Sequence, residues 1–425
     1  MASGTRDGLI RHRVDAVWRI EGARIVATLV RVTGDVGLAE DLAQQAVVEA
    51  LEEWPENGVP RNPGAWLTAV AKRRAIDGWR RRERLDERYA AIARDLAADA
   101  DADGSDHGET WEPIEDDVLR LVFIACHPVL SRESQVALTL RVVGGLTTEE
   151  IARMLLVPVA TVQARITRAK KTLAAAAVPF EVPDPSAWAE RLAGVLSVVY
   201  LVFTEGYAAT SGDRWVRVEL ANEAIRLGRV LAALLPREPD VQALLALMEL
   251  QASRFGARTA ADGSPVLLAD QDRAKWDRAQ IARGRAALSR ADDSSRARAR
   301  GRGAYALQAA IAECHAVAPS IAETDWDHIV ILYEALGRIA PSAVVELNRA
   351  VAVSMATGPA SALRIVDGLA SEGVLRGSHL LPSVRGELLA RLGRTREARS
   401  ELLIAAGLAA NERERAVLEA KAAAL

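Results

Sequence analysis

The chain has 425 residues and a formal net charge of −3, from 54 basic and 57 acidic residues, and this sum alone gives no sign of a nucleic-acid partner. Half of the residues are apolar, which excludes a disordered chain, and only 4% are aromatic, which favours Ala- and Leu-rich helices over strands. The two cysteines lie far apart in sequence, and the charged N-terminus lacks the apolar segment of a signal peptide. We therefore expect a cytoplasmic, multidomain protein with no membrane span.

The charged residues fall in three blocks. Residues 61–94 contain ten basic and four acidic residues, residues 95–117 contain ten acidic residues and no Lys or Arg, and residues 153–171 contain five basic residues and no acidic one. A single charged stretch is usually a solvated helix face. Two basic blocks on either side of a Gly/Asp/Ser-rich acidic segment instead indicate two nucleic-acid-binding modules joined by a flexible linker.

Taken in chain order, the apolar periodicity predicts helices throughout. Residues 34–54 form an amphipathic helical pattern, a turn-rich break follows at residues 55–63, and a second helix then runs into the first basic block. Residues 118–173 are predicted to be helical with a break at Gly144–Gly145, and residues 178–187 form a second linker. No stretch of any length alternates as a strand does. The sequence therefore predicts an all-α fold.

The last third of the chain contains a weak repeat with a period of 35 residues. The segments around Gly358 and Gly393 each read as a helix, a short turn with that glycine, and a second helix with an early alanine, Ala362 or Ala398. This layout is typical of tetratricopeptide-type helical hairpins, although any pair of Ala-rich helices can mimic it. We predict a tetratricopeptide-like (TPR-like) helical domain over residues 188–425.

The strongest local signal is the segment LTTEEIARMLLVPVATVQARITRAKKTL, residues 146–173. Thr147 and Glu150 have the spacing of a capping box at the start of a short helix. A turn at Pro158 leads to a second helix, whose apolar positions form one narrow stripe: Val162, Ile166, Ala169 and Leu173. Its other positions include Gln and Arg, which read adenine and guanine in a major groove, and Lys170 and Lys171, which would neutralise phosphates. The pattern predicts a DNA-binding helix-turn-helix.

Three segments in this order resemble bacterial sigma factors of the extracytoplasmic-function (ECF) type. GDVGLAEDLAQQAVVEALEEW (residues 34–54) resembles the polymerase-binding helix of that family, with its Ala-Glu-Asp-Leu-x-Gln signature. PGAWLTAVAKRRAIDGWRRRER (residues 63–84) resembles the promoter-melting and minus-10 helix, and the helix-turn-helix resembles the minus-35-reading domain. The whole chain resembles a subgroup of such factors with a long TPR-like C-terminal extension. This resemblance implies that the extension modulates transcription.

The resemblance implies core RNA polymerase and promoter DNA as partners. It assigns polymerase binding to Asp41, Gln44, Gln45 and Glu49. It assigns the minus-10 strand to Arg61, Lys72, Arg73, Arg74, Arg80 and Arg81. It assigns the minus-35 duplex to Thr161, Gln163, Arg165, Arg168 and Lys171. Trp66 or Trp79 would stack an unpaired base, although Trp66 also lies on an apolar stripe, which favours a place in the core.

The same resemblance implies five segments along the chain. These are a polymerase- and minus-10-binding domain (10–94), an acidic linker (95–117), a helix-turn-helix domain (118–177), a second linker (178–187) and the helical extension (188–425). The partner of the extension is either another part of the chain or a second protein.

Two other functions stay open at this point. A transcription regulator that senses a ligand or a partner through its C-terminal domain would carry the same helix-turn-helix without contacting core polymerase. An enzyme would need a catalytic constellation, and the candidates lack metal-ligand or nucleophile spacing: Glu205 with Tyr207, Asp325 and Asp327 beside His328, Cys126–His127 and Cys314–His315. We therefore expect no catalytic residue, no metal site and no cofactor.

Overall fold

A computed structural model describes residues 2–82, 112–155, 157–181, 183–184, 186–207, 216–260 and 264–425. Throughout these ranges the regular structure is helical, and the prediction of an all-α fold is confirmed. An isolated β-bridge joins Thr259 and Pro265, and the described residues contain no strand. None of the described helices is long and apolar enough to cross a membrane. The chain divides into two compact units, residues 1–199 and 200–425.

The described part of the first unit contains seven complete helices and most of an eighth. They are α1 (Ala2–Thr33), α2 (Val36–Asn57), α3 (Pro63–Arg82), α4 (Glu112–Ala125), α5 (Arg132–Val142), α6 (Thr148–Leu155), α7 (Val159–Ala175) and α8 (Trp188–Tyr207).

The first three helices pack into one core because each carries an apolar face. α2 begins next to Asp35, whose carboxylate accepts hydrogen bonds from the backbone N–H groups of Gly37 (2.6 Å) and Leu38 (3.0 Å) and so caps the helix. The helix continues through Pro55 into the segment predicted as a turn-rich break. Among the largest fully buried side chains are Trp54 of α2 and Leu67 of α3.

The acidic segment differs from its prediction over the part that the structure describes. Residues 95–111 lie outside the described residues, but residues 112–117, which were assigned to a flexible linker, form the start of α4. Asp117 explains this difference, because its buried carboxylate pairs with Arg31 of α1 (3.1 Å) and with Arg120 one turn later (2.9 Å). An acidic residue that is paired in this way stabilises the helix that carries it and fixes it against α1.

Where the structure describes it, the second unit contains the end of α8 and ten further α-helices. They are α9 (Val218–Leu234), α10 (Pro239–Ala252), α11 (Arg278–Ala297), α12 (Ala304–Val317), α13 (Trp326–Ile339), α14 (Ala343–Ala356), α15 (Pro359–Ser371), α16 (Leu380–Arg391), α17 (Thr395–Leu408) and α18 (Glu412–Ala423). Three short 3₁₀ turns lie between α10 and α11.

The predicted 35-residue repeat corresponds to two helical hairpins, α14–α15 and α16–α17. Gly358 and Gly393 occupy the two turns with positive φ angles of 100° and 76°, a backbone conformation that favours glycine. Ala362 and Ala398 are both fully buried in a core shared by the two hairpins, because only a small side chain fits where the helices approach closely. The two hairpins are therefore alike in their turn glycines and their buried alanines, but the second turn is one residue longer, because Arg394 lies between Gly393 and α17.

Candidate nucleic-acid interface

The helix-turn-helix consists of α6 and α7, and its start is fixed by the predicted capping box. The backbone N–H of Glu150 donates to the Thr147 hydroxyl (3.1 Å), and the backbone N–H of Thr147 donates to the Glu150 carboxylate (2.8 Å). The two side chains thus satisfy each other's free amides at the first turn of α6. Pro158 ends the intervening turn with φ −57° and ψ 144°, and α7 begins at the next residue.

The predicted apolar stripe of α7 is confirmed residue by residue. The buried residues of this helix are Val162, Ile166, Ala169 and Leu173. They pack the helix against its own domain and leave the opposite face open. On that face a shallow groove is lined by Val129 and by α7 side chains that include Gln163, Arg168 and Lys171. Three of the five residues predicted to read the minus-35 duplex are therefore brought together along one accessible strip.

The other two predicted readers lie closer to the protein. Thr161 and Arg165 are half-buried, whereas Gln163, Arg168 and Lys171 are exposed. All five side chains lie between residues 161 and 171, in the first four turns of α7. In a recognition helix this part meets base edges and phosphates.

The side chain of Lys170 points toward α2, away from the groove that its neighbour Lys171 lines. Its ammonium contacts the Glu40 carboxylate and lies 3.5 Å from the Asp41 carboxylate, and its side chain is only 19% exposed. The phosphate-neutralising role that we predicted for both lysines therefore fits the position of Lys171 alone in this arrangement. The ammonium of Lys170 instead links α7 to the start of α2.

Glu40 is the centre of this link, and the sequence analysis did not single it out. Its side chain is 6% exposed and accepts a hydrogen bond from Arg141 Nε of α5 (2.6 Å) in addition to its contact with Lys170. Burial raises the pKa of Glu40, but the charges and hydrogen bonds of Arg141 and Lys170 outweigh burial, and the pKa lies below its usual value. The carboxylate is therefore ionised and paired on both sides.

The four residues predicted to bind polymerase lie on α2 in different environments. Asp41 and Gln45 are exposed, and Gln44 is half-buried. Glu49 accepts hydrogen bonds from Arg74 of α3, at 2.9 Å from Nε and 2.5 Å from a terminal nitrogen. Glu49 and Arg74 were assigned to two different partners, and in this structure they bind each other.

The remaining residues predicted to hold the minus-10 strand lie on α3 or just before it. Arg61 and Arg73 are exposed and Lys72 is half-buried. Arg80 and Arg81 belong to the last turns of α3, but their side chains, like that of Trp79, lie outside the described ones. Trp66 packs edge-to-face on the buried Trp54, with ring centroids 5.5 Å apart and an interplanar angle of 65°, as expected for a residue of the apolar core.

Several of the side chains considered for catalysis have structural partners. Glu205 pairs with Arg217 (2.8 Å), and the Asp325 carboxylate caps α13 by accepting from the backbone N–H of His328 (3.0 Å). Burial raises the pKa of the Cys126 thiol to about 11, which is opposite to what an activated nucleophile needs. Within the described ranges, no group of three or more His, Cys, Asp or Glu residues is placed to hold a metal ion.

Family models match three parts of the chain. Sigma-70 region 2 matches residues 19–85, Sigma-70 region 4 matches residues 120–173, and a family of unknown function (DUF6596) matches residues 191–292. The first match contains α2 and α3, and the second contains the helix-turn-helix. The third lies in the helical extension.

Known proteins with similar sequences fall into two groups. An uncharacterized protein of Rhizobium meliloti (strain 1021) is 44% identical over 395 residues, which cover 92% of this chain and 91% of that protein. The ECF RNA polymerase sigma factor SigK of Mycobacterium ulcerans (strain Agy99) is 27% identical over 154 residues, 35% of this chain and 78% of SigK. The probable ECF RNA polymerase sigma factor SigI of Mycobacterium tuberculosis (strain CDC 1551 / Oshkosh) is 30% identical over 141 residues, 33% of this chain and 47% of SigI. No solved structure matches the chain.

Proposed function

The chain belongs to the ECF RNA polymerase sigma factors with a C-terminal helical extension, and from this premise we propose which of its surfaces bind core polymerase and promoter DNA. α2 docks on core polymerase through Asp41, Gln44, Gln45 and Glu49. α3 and the segment before it hold the minus-10 strand, and α7 reads the minus-35 duplex. The extension modulates this activity. The domain limits that we propose are 10–94, 118–177 and 188–425, with linkers between them.

One observation carries the DNA-binding part of this proposal, the open strip of Gln163, Arg168 and Lys171 on α7. The amide of Gln and the guanidinium of Arg match the major-groove edges of adenine and guanine, and Lys matches a backbone phosphate. The buried stripe holds the helix rigidly behind this strip, so the polar side chains are presented in a fixed direction.

In vitro transcription with core polymerase and duplex-binding measurements test these assignments on the full chain. The double charge reversal Arg165→Glu/Arg168→Glu should abolish binding to a minus-35 duplex while leaving core binding unchanged. Arg132→Glu, an exposed arginine at the start of α5, is the matched control and should change neither. Duplex binding that survives the double reversal would refute the groove assignment.

The docking part of the proposal is tested on α2. Asp41→Arg should weaken pull-down of core polymerase, because the proposed docking surface loses an acidic group and gains a like charge toward a basic partner surface. Glu52→Arg, at an exposed acidic position of the same helix, is the control for the change of charge. An unchanged yield for Asp41→Arg would remove α2 from the docking surface. If the wild-type chain does not bind core polymerase at all, the result would favour the alternative of a regulator that acts without polymerase.

We further infer that the contact between α2 and α7 has to open when the protein binds polymerase. Lys170 and Arg141 both pair with the Glu40 carboxylate. Lys170 also approaches Asp41, which belongs to the surface proposed for docking. A polymerase surface that binds Asp41 would compete with Lys170 for it. The helix-turn-helix domain is then free to reach the minus-35 duplex.

The modulatory role of the extension is tested by truncation. The truncated chain should end after α8 and keep that helix, because the start of α8 contacts α4. Trp188 packs on Phe123 (ring centroids 5.2 Å apart), and Arg191 donates to the backbone carbonyl of Phe123 (2.9 Å). A chain that ends after Tyr207 keeps these contacts, whereas one that ends in the linker before Trp188 loses them. Transcription by the longer truncation should differ from that of the full chain in either direction, and equal activity would contradict a modulatory role.

A further inference from the structure

A cavity of about 470 Å³ lies inside the second unit, between α8, α10, α12, α13 and the start of α14. Its lining mixes apolar side chains with polar groups that point to one space. The polar residues are Tyr200, Gln251, Arg254, Gln308, His315, Tyr333, Ser342 and Asn348. A concave site of this size with a few convergent polar groups is the usual form of a small-molecule site.

Several of these polar groups have unused hydrogen-bonding capacity. Among the described residues, no protein group hydrogen-bonds the side-chain amides of the half-buried Gln251 or the exposed Asn348. Both amides are therefore available to a polar ligand, Gln251 in the wall of the cavity and Asn348 where the cavity meets solvent. The Tyr200 hydroxyl, by contrast, donates to the side-chain oxygen Oε1 of Gln308 (3.2 Å).

Arg254 gives the cavity a positive charge that no carboxylate of the described residues balances. Its guanidinium donates to the Tyr207 hydroxyl and lies 5.8 Å from the Trp276 ring, but among the described residues no Asp or Glu lies within ion-pair distance of it. Other arginines of the same unit are paired, such as Arg229 with Glu249 and Arg302 with Asp292. A half-buried guanidinium without a counter-ion is the preferred partner of a carboxylate or a phosphate, which it binds through two parallel N–H donors.

A second cation increases the positive potential. Arg273 donates to the carbonyl of Ala318 (2.7 Å) and to that of His315, beside the cavity wall. Burial and then repulsion from Arg254 and Arg273 lower the pKa of His315 to about 4. The imidazole is therefore neutral near pH 7, and the positive charge beside this wall of the cavity comes from the two arginines.

We propose that this cavity binds a small organic anion, with Arg254 holding its carboxylate or phosphate group and the amides of Gln251 and Asn348 contacting its polar body. The volume exceeds that of one anionic group, so the ligand is an anion of metabolite size. This site goes beyond the proposed sigma-factor role, and its binding is measured directly. Failure of one proposal therefore leaves the other standing.

Titration calorimetry on the full chain tests the proposal with two probes, succinate for the carboxylate and inorganic phosphate for the phosphate. We expect one of them to bind the wild-type chain, and the one that binds identifies the anionic group. Arg254→Gln should weaken that binding at least about tenfold, because it removes the charge and the paired donors. Arg254→Lys keeps the charge but not the paired N–H donors of the guanidinium, so its affinity for the probe should lie between those of the wild type and of Arg254→Gln.

Two further variants keep the test decisive. Ala312→Phe places a ring into the cavity from α12 without changing any charge, and it should also weaken binding at least about tenfold, which decides the matter if Arg254→Gln fails to fold. Arg237→Gln removes an exposed arginine outside the cavity and should bind as the wild type does. The proposal is overturned if neither probe binds at about 10 mM, if Arg254→Gln or Ala312→Phe binds as tightly as the wild type, or if Arg237→Gln weakens binding equally.

Discussion

Lys170 and Lys171 are neighbours on α7 that face different surroundings, and replacing each by methionine separates the contact with Glu40 from the phosphate contact that we predicted for both lysines. Lys170 contacts Glu40 and is 19% exposed, whereas Lys171 is exposed and lines the groove with Gln163 and Arg168. Methionine keeps a side chain of similar length and removes the charge in both cases. We expect Lys170→Met to strengthen binding to core polymerase and Lys171→Met to weaken binding to a minus-35 duplex.

The size of the first effect follows from what remains around Glu40. Its carboxylate keeps the hydrogen bond from Arg141 at 2.6 Å, so Lys170→Met removes one charged contact and not the whole network. Hydrogen bonds to charged groups contribute about 1.5–3 kcal/mol, and the lower value applies here because Glu40 stays paired. About 1.5 kcal/mol corresponds to roughly a tenfold weaker closed arrangement. If core binding requires that arrangement to open, the apparent Kd for core falls by up to about tenfold.

Fluorescence anisotropy with labelled core polymerase and with a labelled minus-35 duplex measures both affinities on the same proteins. Lys171→Met should leave core binding unchanged and reduce the slope of log K against log salt for the duplex by about 1, as one phosphate contact is lost. The reasoning is refuted if Lys170→Met leaves core binding unchanged and weakens duplex binding as much as Lys171→Met does. In that case Lys170 is a phosphate contact, and its position beside Glu40 has no energetic weight.

Two further predictions concern the second unit. Gly206→Ala should lower the free energy of unfolding by about 1–3 kcal/mol, because its Cβ would lie 2.4 Å from the backbone nitrogen of Ala221. The control Gly194→Ala, on the same helix, places a Cβ with nothing within 4 Å and should raise the free energy of unfolding by up to about 1 kcal/mol. Urea unfolding followed by circular dichroism distinguishes the two variants. The hydrogen bond from His379 to Glu414 raises the pKa of His379 above 6.5, so its stabilising contribution is complete below pH 6.5 and is lost as pH rises through the raised pKa. His379→Gln should flatten this loss of thermal stability between about pH 6 and 8, and an unchanged pH profile would contradict it.

The helix-turn-helix was predictable because every signal for it is local. The two residues of the capping box are three positions apart, and the stripe from Val162 to Leu173 repeats at the period of the helix itself. The turn glycines of the C-terminal hairpins, Gly358 and Gly393, were predictable for the same reason, since a short turn between helices favours a positive φ. These features depend on neighbours within one or two turns of the chain.

The charged link between α2 and α7 was not predictable, because its members are far apart in sequence. Glu40 lies 101 residues before Arg141 and 130 before Lys170, and no local pattern distinguishes a paired carboxylate from a solvated one. The pairing of Glu49 with Arg74 was missed in the same way. The anion cavity also depends on the packing of several helices, which brings Arg254 beside Gln251, His315 and Asn348.

The three charge blocks acquire a different meaning from these contacts. The sequence treated the basic block at residues 153–171 as a surface for DNA, but Lys170 is directed toward Glu40, an acidic residue of the proposed docking helix. The positive charge of the two basic blocks is therefore partly cancelled in space by acidic residues of α2, Glu40 and Glu49, which lie outside the three blocks. A buried Glu40 that lost both cations at once would cost several kcal/mol, so opening has to supply new partners as the old ones leave. A basic polymerase surface at α2 and DNA phosphates at α7 are such partners, and exchanging one set of ion pairs for the other lets binding open the protein without leaving a charge unpaired.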